Sequence, residues 1–251
     1  MADLVPRLAA ALLDARRDGR RIDDLAGLAP SAPEAAYAVQ RIVGGRLGAL
    51  AGWKVGAKGA GAPITCAPLF APAILPSGSV HAADTFGLWQ IESEIVLRMA
   101  RDLPPRERAY TMPEVEDAIG EVMAGFEIVD SRFAAWPDVP PLMALADGQS
   151  HGAMVIGGGM PYRADLDLAA VPVRLAFDGS EVAQAVGGNP AGDPVRLLLR
   201  LADHLAATDA GLRAGDIVAT GSCTGMIELP MGATAEAIFD GIGRVRVTRE
   251  R

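Results

Sequence analysis

The chain has 251 residues, half of them hydrophobic, and a net charge of −8. That is long enough for one large domain, or one domain with a small appendage, built on a sizeable core. The acidic balance argues against a general nucleic-acid binder, which needs a basic face, and no run of eighteen apolar residues offers a membrane span.

Residues 4–19 read as an amphipathic helix with Leu4, Leu8, Leu12 and Leu13 on one side. Asp3, Pro6 and Arg7 interrupt this stretch and no basic segment precedes it, so it does not read as a secretory leader. Ser31-Ala-Pro-Glu34 has the form of a capping box with proline in the first turn, predicting a second helix to about residue 48. Residues 1–50 therefore read as a small helical N-terminal part, and 51–251 as the main domain. From Gly52 the texture changes to short apolar runs ended by Gly or Pro, which read as strands. Two helices interrupt them. Thr111-Met-Pro-Glu114 caps a helix through VEDAIGEVMA, and Asp193 caps a helix burying Leu197, Leu198, Leu201 and Leu205. Asp240-Gly241 predicts a tight hairpin near the end. Strands and helices do not alternate strictly, so the pattern fits a mixed, mostly β core decorated by helices. Cys66 and Cys223 are too few and too far apart for a disulfide framework or a zinc knuckle, so a reduced, cytoplasmic setting is expected.

Four segments carry chemistry. The only lysines are Lys54 and Lys58 among 23 basic residues. A lysine kept under that arginine bias can be there because, unlike arginine, it can lose its proton. Lys54 sits in the apolar run GWKVG, where a depressed pKa would suit a general acid/base; it can equally hold a substrate carboxylate as a plain cation. In IESEIVL, Glu92 and Glu94 share one face of a strand, about 6.7 Å apart. Like charges on a largely buried strand repel and lose solvation, and a hard cation such as Mg²⁺ or Mn²⁺ between them removes both costs. The bland alternative is a solvated strand face. In FEIVDSR, Glu127 is either a third ligand or the partner of an arginine, and Asp130 and Arg132 can form a supporting ion pair. In ATGSCTG, the glycines and hydroxyls can turn N–H and O–H groups toward a carboxylate, or simply make a tight loop.

In this order and spacing, GWKVGA, IESEIVLRMARDL, FEIVDSR, LADGQSHGAMVIG, GGNPAGDPVRLLLRLADHLA, LRAGDIVATGSCTG and FDGIGRVRV resemble the fumarylacetoacetate hydrolase superfamily over roughly residues 35–250. The likeness is to its 2-keto-4-pentenoate hydratase / 4-oxalocrotonate decarboxylase branch. It implies a mixed α/β (α+β) fold, a β-sandwich roll with flanking helices. It also implies Mg²⁺ or Mn²⁺ on Glu92, Glu94 and Glu127, with Lys54 moving protons or positioning substrate, and Ser222, Thr224 and Gly225 binding the substrate carboxylate. The implied partner is a small 2-oxo or 2-enol carboxylic acid from aromatic-compound catabolism. A homo-oligomer, dimer or higher, is implied as well. The reaction implied is hydration of a 2-hydroxy-2,4-dienoate; decarboxylation of a 4-oxalocrotonate-type acid and a catalytically silent scaffold are the alternatives. No His-Glu motif for water activation matches: His81, His151 and His204 are scattered, with His151 read as a loop residue. One departure stands out. Relatives carry L-F-x-D-M where this chain has Leu69-Phe-Ala-Pro-Ala73, so Pro72 takes the place of an aspartate.

Overall fold

A computed structural model of the chain describes residues 3–208 and 210–251. Two helices lead, α1 (Leu4–Asp18) and α2 (Pro33–Gly44). Leu8 and Leu12 are wholly buried, as their spacing predicts. Ser31 does not cap α2: Ala32 is the N-cap residue, without a side-chain hydrogen bond, and the helix ends at Gly44. The fixed φ of Pro33 in the first turn starts it instead. Both helices share a small core with Phe133 and with Met143 of α4 (Pro141–Ala146).

The strands are β1 (Leu50–Ala57), β2 (Ile64–Phe70), β3 (Ile74–Pro76), β4 (Ser79–His81), β5 (Gln90–Met99) and β6 (Ile119–Val129). They continue with β7 (His151–Pro161), β8 (Pro172–Phe177), β9 (Ser180–Val186), β10 (Ile217–Glu228), β11 (Thr234–Phe239) and β12 (Gly243–Arg249). One sheet runs β2-β1-β10-β5-β6-β7-β3 and the other β4-β12-β11-β8-β9. Most neighbours are antiparallel; β1 with β10, β3 with β7 and β4 with β12 are parallel. The core lies between these sheets and under the helices. At Gly157 of β7 an added Cβ would stand 2.3 Å from the Arg244 carbonyl oxygen of β12, so only glycine lets the sheets approach this closely there.

Helix α3 (Met112–Ala118) opens with the Thr111–Glu114 capping box, as read. It stops at Ala118, however, and GEVMA belongs to β6. Val122, Met123 and Ala124 are buried between β5 and β7, and that packing overrides their helix propensity. Helix α5 (Pro194–Ala206) begins where Asp193 accepts the Val195 N–H at 2.8 Å, and Leu197, Leu198, Leu201 and Leu205 are buried. Asp240 and Gly241 lie in the turn joining β11 to β12, with Gly241 at φ +76°. Among the described residues no helix is long and apolar enough to cross a membrane.

Candidate metal centre

Strands β5 and β6 pair antiparallel with Glu92 directly opposite Glu127. The two-residue period puts Glu94 on the same face as Glu92, while Ile91, Ile95 and Leu97 point the other way into the core. One oxygen from each of Glu92, Glu94 and Glu127 lies within 4.8 Å of the others. Glu94 and Glu127 are each 1% exposed and Glu92 is half-buried. Lys54 reaches the cluster from β1, with Nζ on Glu127 Oε1 and 3.4 Å from the Gln149 carbonyl. His151, the first residue of β7, places Nδ1 3.0 Å from the same Glu127 oxygen.

Burial, with the charge of Glu127 added, pushes Glu92 up to about 7 and Glu94 well above the carboxylate range. Burial also works against the Glu127 charge, but Lys54 and His151 outweigh it and hold this carboxyl down at about 2. Lys54 has the converse balance. Burial pulls it down, yet Glu127, Glu94 and Glu92 together hold it above its usual value. The depressed lysine expected from an apolar strand is thus absent, because three carboxylates surround it. Burial lowers His151 and so favours the neutral ring; its Nδ1 faces the Glu127 carboxylate, and Nε2 is buried without a partner.

The donor set fits a hard divalent cation. Glu127 Oε2 is buried with no hydrogen-bond partner. Glu94 keeps one hydrogen bond, from the Gly221 N–H at 2.8 Å. Three convergent carboxylates, with Glu127 Oε2 left free of any donor, suit Mg²⁺, Mn²⁺ or Ca²⁺ rather than a softer metal.

Ser222 lies opposite Glu94 on β10, so the ATGSCTG segment is a bulged strand and not a free loop. Ser222 Oγ donates to the Gly225 carbonyl at 3.0 Å, and Thr224 Oγ1 accepts the Ser93 N–H at 3.3 Å. Gly221 and Gly225 at φ +93° and +73° make the bulge, but the Gly221 N–H is committed to Glu94. The segment stands beside the carboxylates without forming the expected backbone cradle. The Asp130–Arg132 pair does not form either. Arg132 is buried and takes the buried Asp147, with Nε to Oδ1 at 2.6 Å and its backbone N–H to Oδ2 at 2.9 Å. Asp130 instead accepts the Gly87 and Leu88 N–H groups and faces Arg21. His151 is not a loop residue. Its approach to Glu127 comes from the pairing of Val129 with His151 across β6 and β7, which no local pattern reveals.

Residues 64–248 match the model of the fumarylacetoacetate (FAA) hydrolase C-terminal family. A 2-keto-4-pentenoate hydratase of Burkholderia vietnamiensis is 30% identical, over 97% of this chain and 97% of that protein. Among solved structures, 4-oxalocrotonate decarboxylase from Pseudomonas putida G7, complexed with magnesium and adipate, superposes with a TM-score of 0.88. It is 23% identical, covering 99% of this chain and 98% of that one. The same decarboxylase with calcium and acetate gives 0.86 over the same shares at 23% identity. The two-sheet fold, the carboxylate cluster on its central strands and the full-length similarity converge: the chain belongs to the fumarylacetoacetate hydrolase family, in its branch of 2-keto-4-pentenoate hydratases.

Proposed function

We propose that the chain adds water to a 2-hydroxy-2,4-dienoate of the 2-keto-4-pentenoate type, giving a 4-hydroxy-2-oxo acid in the breakdown of aromatic compounds. The carrying observation is the buried Glu92–Glu94–Glu127 cluster with Lys54 Nζ against it. These three carboxylates would hold Mg²⁺ or Mn²⁺. When bound, the ion supplies a Lewis acid for the 2-oxygen of the substrate. Lys54 Nζ, held against Glu127, would be the group that hands over and takes back protons beside the bound substrate. Lys54 then moves protons as the 2-hydroxyl loses its hydrogen and C5 gains one, leaving an α,β-unsaturated ketone. Water adds its oxygen to C4 and a hydrogen to C3. The Ser222 and Thr224 hydroxyls, which now donate to the Gly225 carbonyl, turn to the substrate carboxylate, a stronger acceptor. A cytoplasmic setting fits the two free, buried thiols Cys66 and Cys223.

A second reading is decarboxylation of a 4-oxalocrotonate-type acid at the same site. Pro72 favours it, because no carboxylate stands there to share proton transfer with Lys54. A product assay with 2-hydroxypenta-2,4-dienoate and with 4-oxalocrotonate, each with and without Mg²⁺, separates the two. Hydration gives Mg²⁺-dependent 4-hydroxy-2-oxopentanoate from the first; decarboxylation gives CO₂ from the second. Absence of both products with Mg²⁺ sinks both readings and leaves the silent scaffold.

A further inference from the structure

Beside the carboxylate cluster lies a cavity of about 350 Å³ whose walls include Val43, Phe70, Pro72 and Leu75. Two features tie it to the cluster. His151 lines it and holds Glu127 through Nδ1. Gly148 also lines it, next to Gln149, whose carbonyl faces Lys54 Nζ. The cavity is therefore separated from Glu127 by one imidazole ring.

Its other polar wall is unusual. Arg16, from helix α1 of the helical N-terminal part, lines the cavity with about a quarter of its side chain exposed. Asp147 is its nearest anion, but Arg132 already holds Asp147 through both its Nε and its backbone N–H. Arg16 is left with one long contact, Nη2 to Oδ1 at 3.4 Å, and its Nε is buried with no partner. The surrounding charges do not balance. Arg16, Arg21 and Arg132 face Asp130 and Asp147, while Arg20 and Asp84 both stand exposed at the outer edge. One guanidinium is in excess, and Pro72 brings no carboxylate to the wall. A guanidinium edge with a free Nε–H matches a carboxylate through two parallel hydrogen bonds. An apolar guest would leave that N–H unsatisfied.

We propose that Arg16 is a specificity residue, and that the cavity takes the far end of a substrate bearing a second, terminal carboxylate. The inference rests on the proposed binding of a 2-oxo acid head at Glu92, Glu94 and Glu127, and it names the tail that goes with that head. The aliphatic walls pass the middle of the chain, and Arg16 receives its end.

Calorimetry on the full chain with Mn²⁺ tests this using saturated acids that share one head. 2-Oxoadipate and 2-oxopimelate carry the terminal carboxylate; 2-oxohexanoate and 2-oxoheptanoate do not. A dioate binds tighter than its mono-acid partner by about tenfold or more, the scale of a charge-assisted hydrogen bond. Arg16→Gln brings the dioates down to the level of the mono acids, and Arg16→Lys keeps part of the difference. Equal binding of the two sets, or a dioate preference unchanged in Arg16→Gln, overturns the role of Arg16 alone. Should Arg16→Gln fail to fold, the unmodified chain and Arg16→Lys still decide. Failure of all four acids to bind overturns the head site, and this inference with it.

Discussion

Lys54 concentrates the residue-scale chemistry. Its ammonium sits among three carboxylates, so its charge is stabilised and its proton is placed beside the proposed substrate site. If it transfers that proton, Lys54→Arg loses most turnover, because arginine stays protonated. Lys54→Met loses it too, and the expected drop is about 10²–10⁴-fold in kcat. Mn²⁺ binding persists in both variants, because a lysine ammonium is not a ligand. Near-native turnover in Lys54→Arg would make the residue an electrostatic clamp. The proposed ligands have a separate test. Glu92→Ala and Glu127→Ala each abolish the Mn²⁺-induced rise in Tm, since a ligand stabilises only by binding the folded state; a full shift in either variant removes that residue from the site. Glu92 and Glu94 were legible from the two-residue period, and Glu127 from its place in an apolar run. His151 and the Arg132–Asp147 pair were not, because each depends on which strand or turn lies alongside, a fact carried by no window of sequence.

Among the elements, the helices divide by what stabilises their ends. Asp193 starts α5 by accepting the Val195 N–H, a local bond that the sequence announces. Asp193→Ala therefore lowers unfolding stability by about 1 kcal/mol, the usual worth of an N-cap. Urea unfolding of the two forms reads this, and an unchanged midpoint would show that packing of the leucine stripe alone holds the helix. The Thr111 box was equally readable, yet the end of α3 was not. Glu121, Met123 and Ala124 are good helix formers, yet they lie in strand β6 between β5 and β7. Ser31 failed in the other direction: its sequence has the form of a box that α2 does not use. Local patterns thus gave helix starts where a side chain bonds the backbone, and missed boundaries set by the sheet.

At the scale of the whole molecule, irregular alternation of strands and helices pointed correctly to a mixed fold, but strand order was beyond reach. The central position of β10 between β1 and β5 joins segments more than 100 residues apart. Assembly is a further expectation, drawn from family likeness alone: the chain is a homo-oligomer, at least a dimer. Sedimentation velocity at micromolar concentration should show it, and a clean monomer boundary would remove the expectation.

The facing of Glu92 and Glu127 across two antiparallel strands also bears on how the sheet assembles. A slip of β6 by one residue would turn Glu127 to the opposite face and bring Phe126 or Ile128 into its place. Such a misaligned sheet has no set of three converging carboxylates, so the proposed ion binds only the correct alignment. Its binding energy then acts as an error check on strand pairing, favouring one partner arrangement while the chain is still choosing. Refolding from urea with Mn²⁺ present from the start should accordingly recover more native protein than adding Mn²⁺ once refolding has finished.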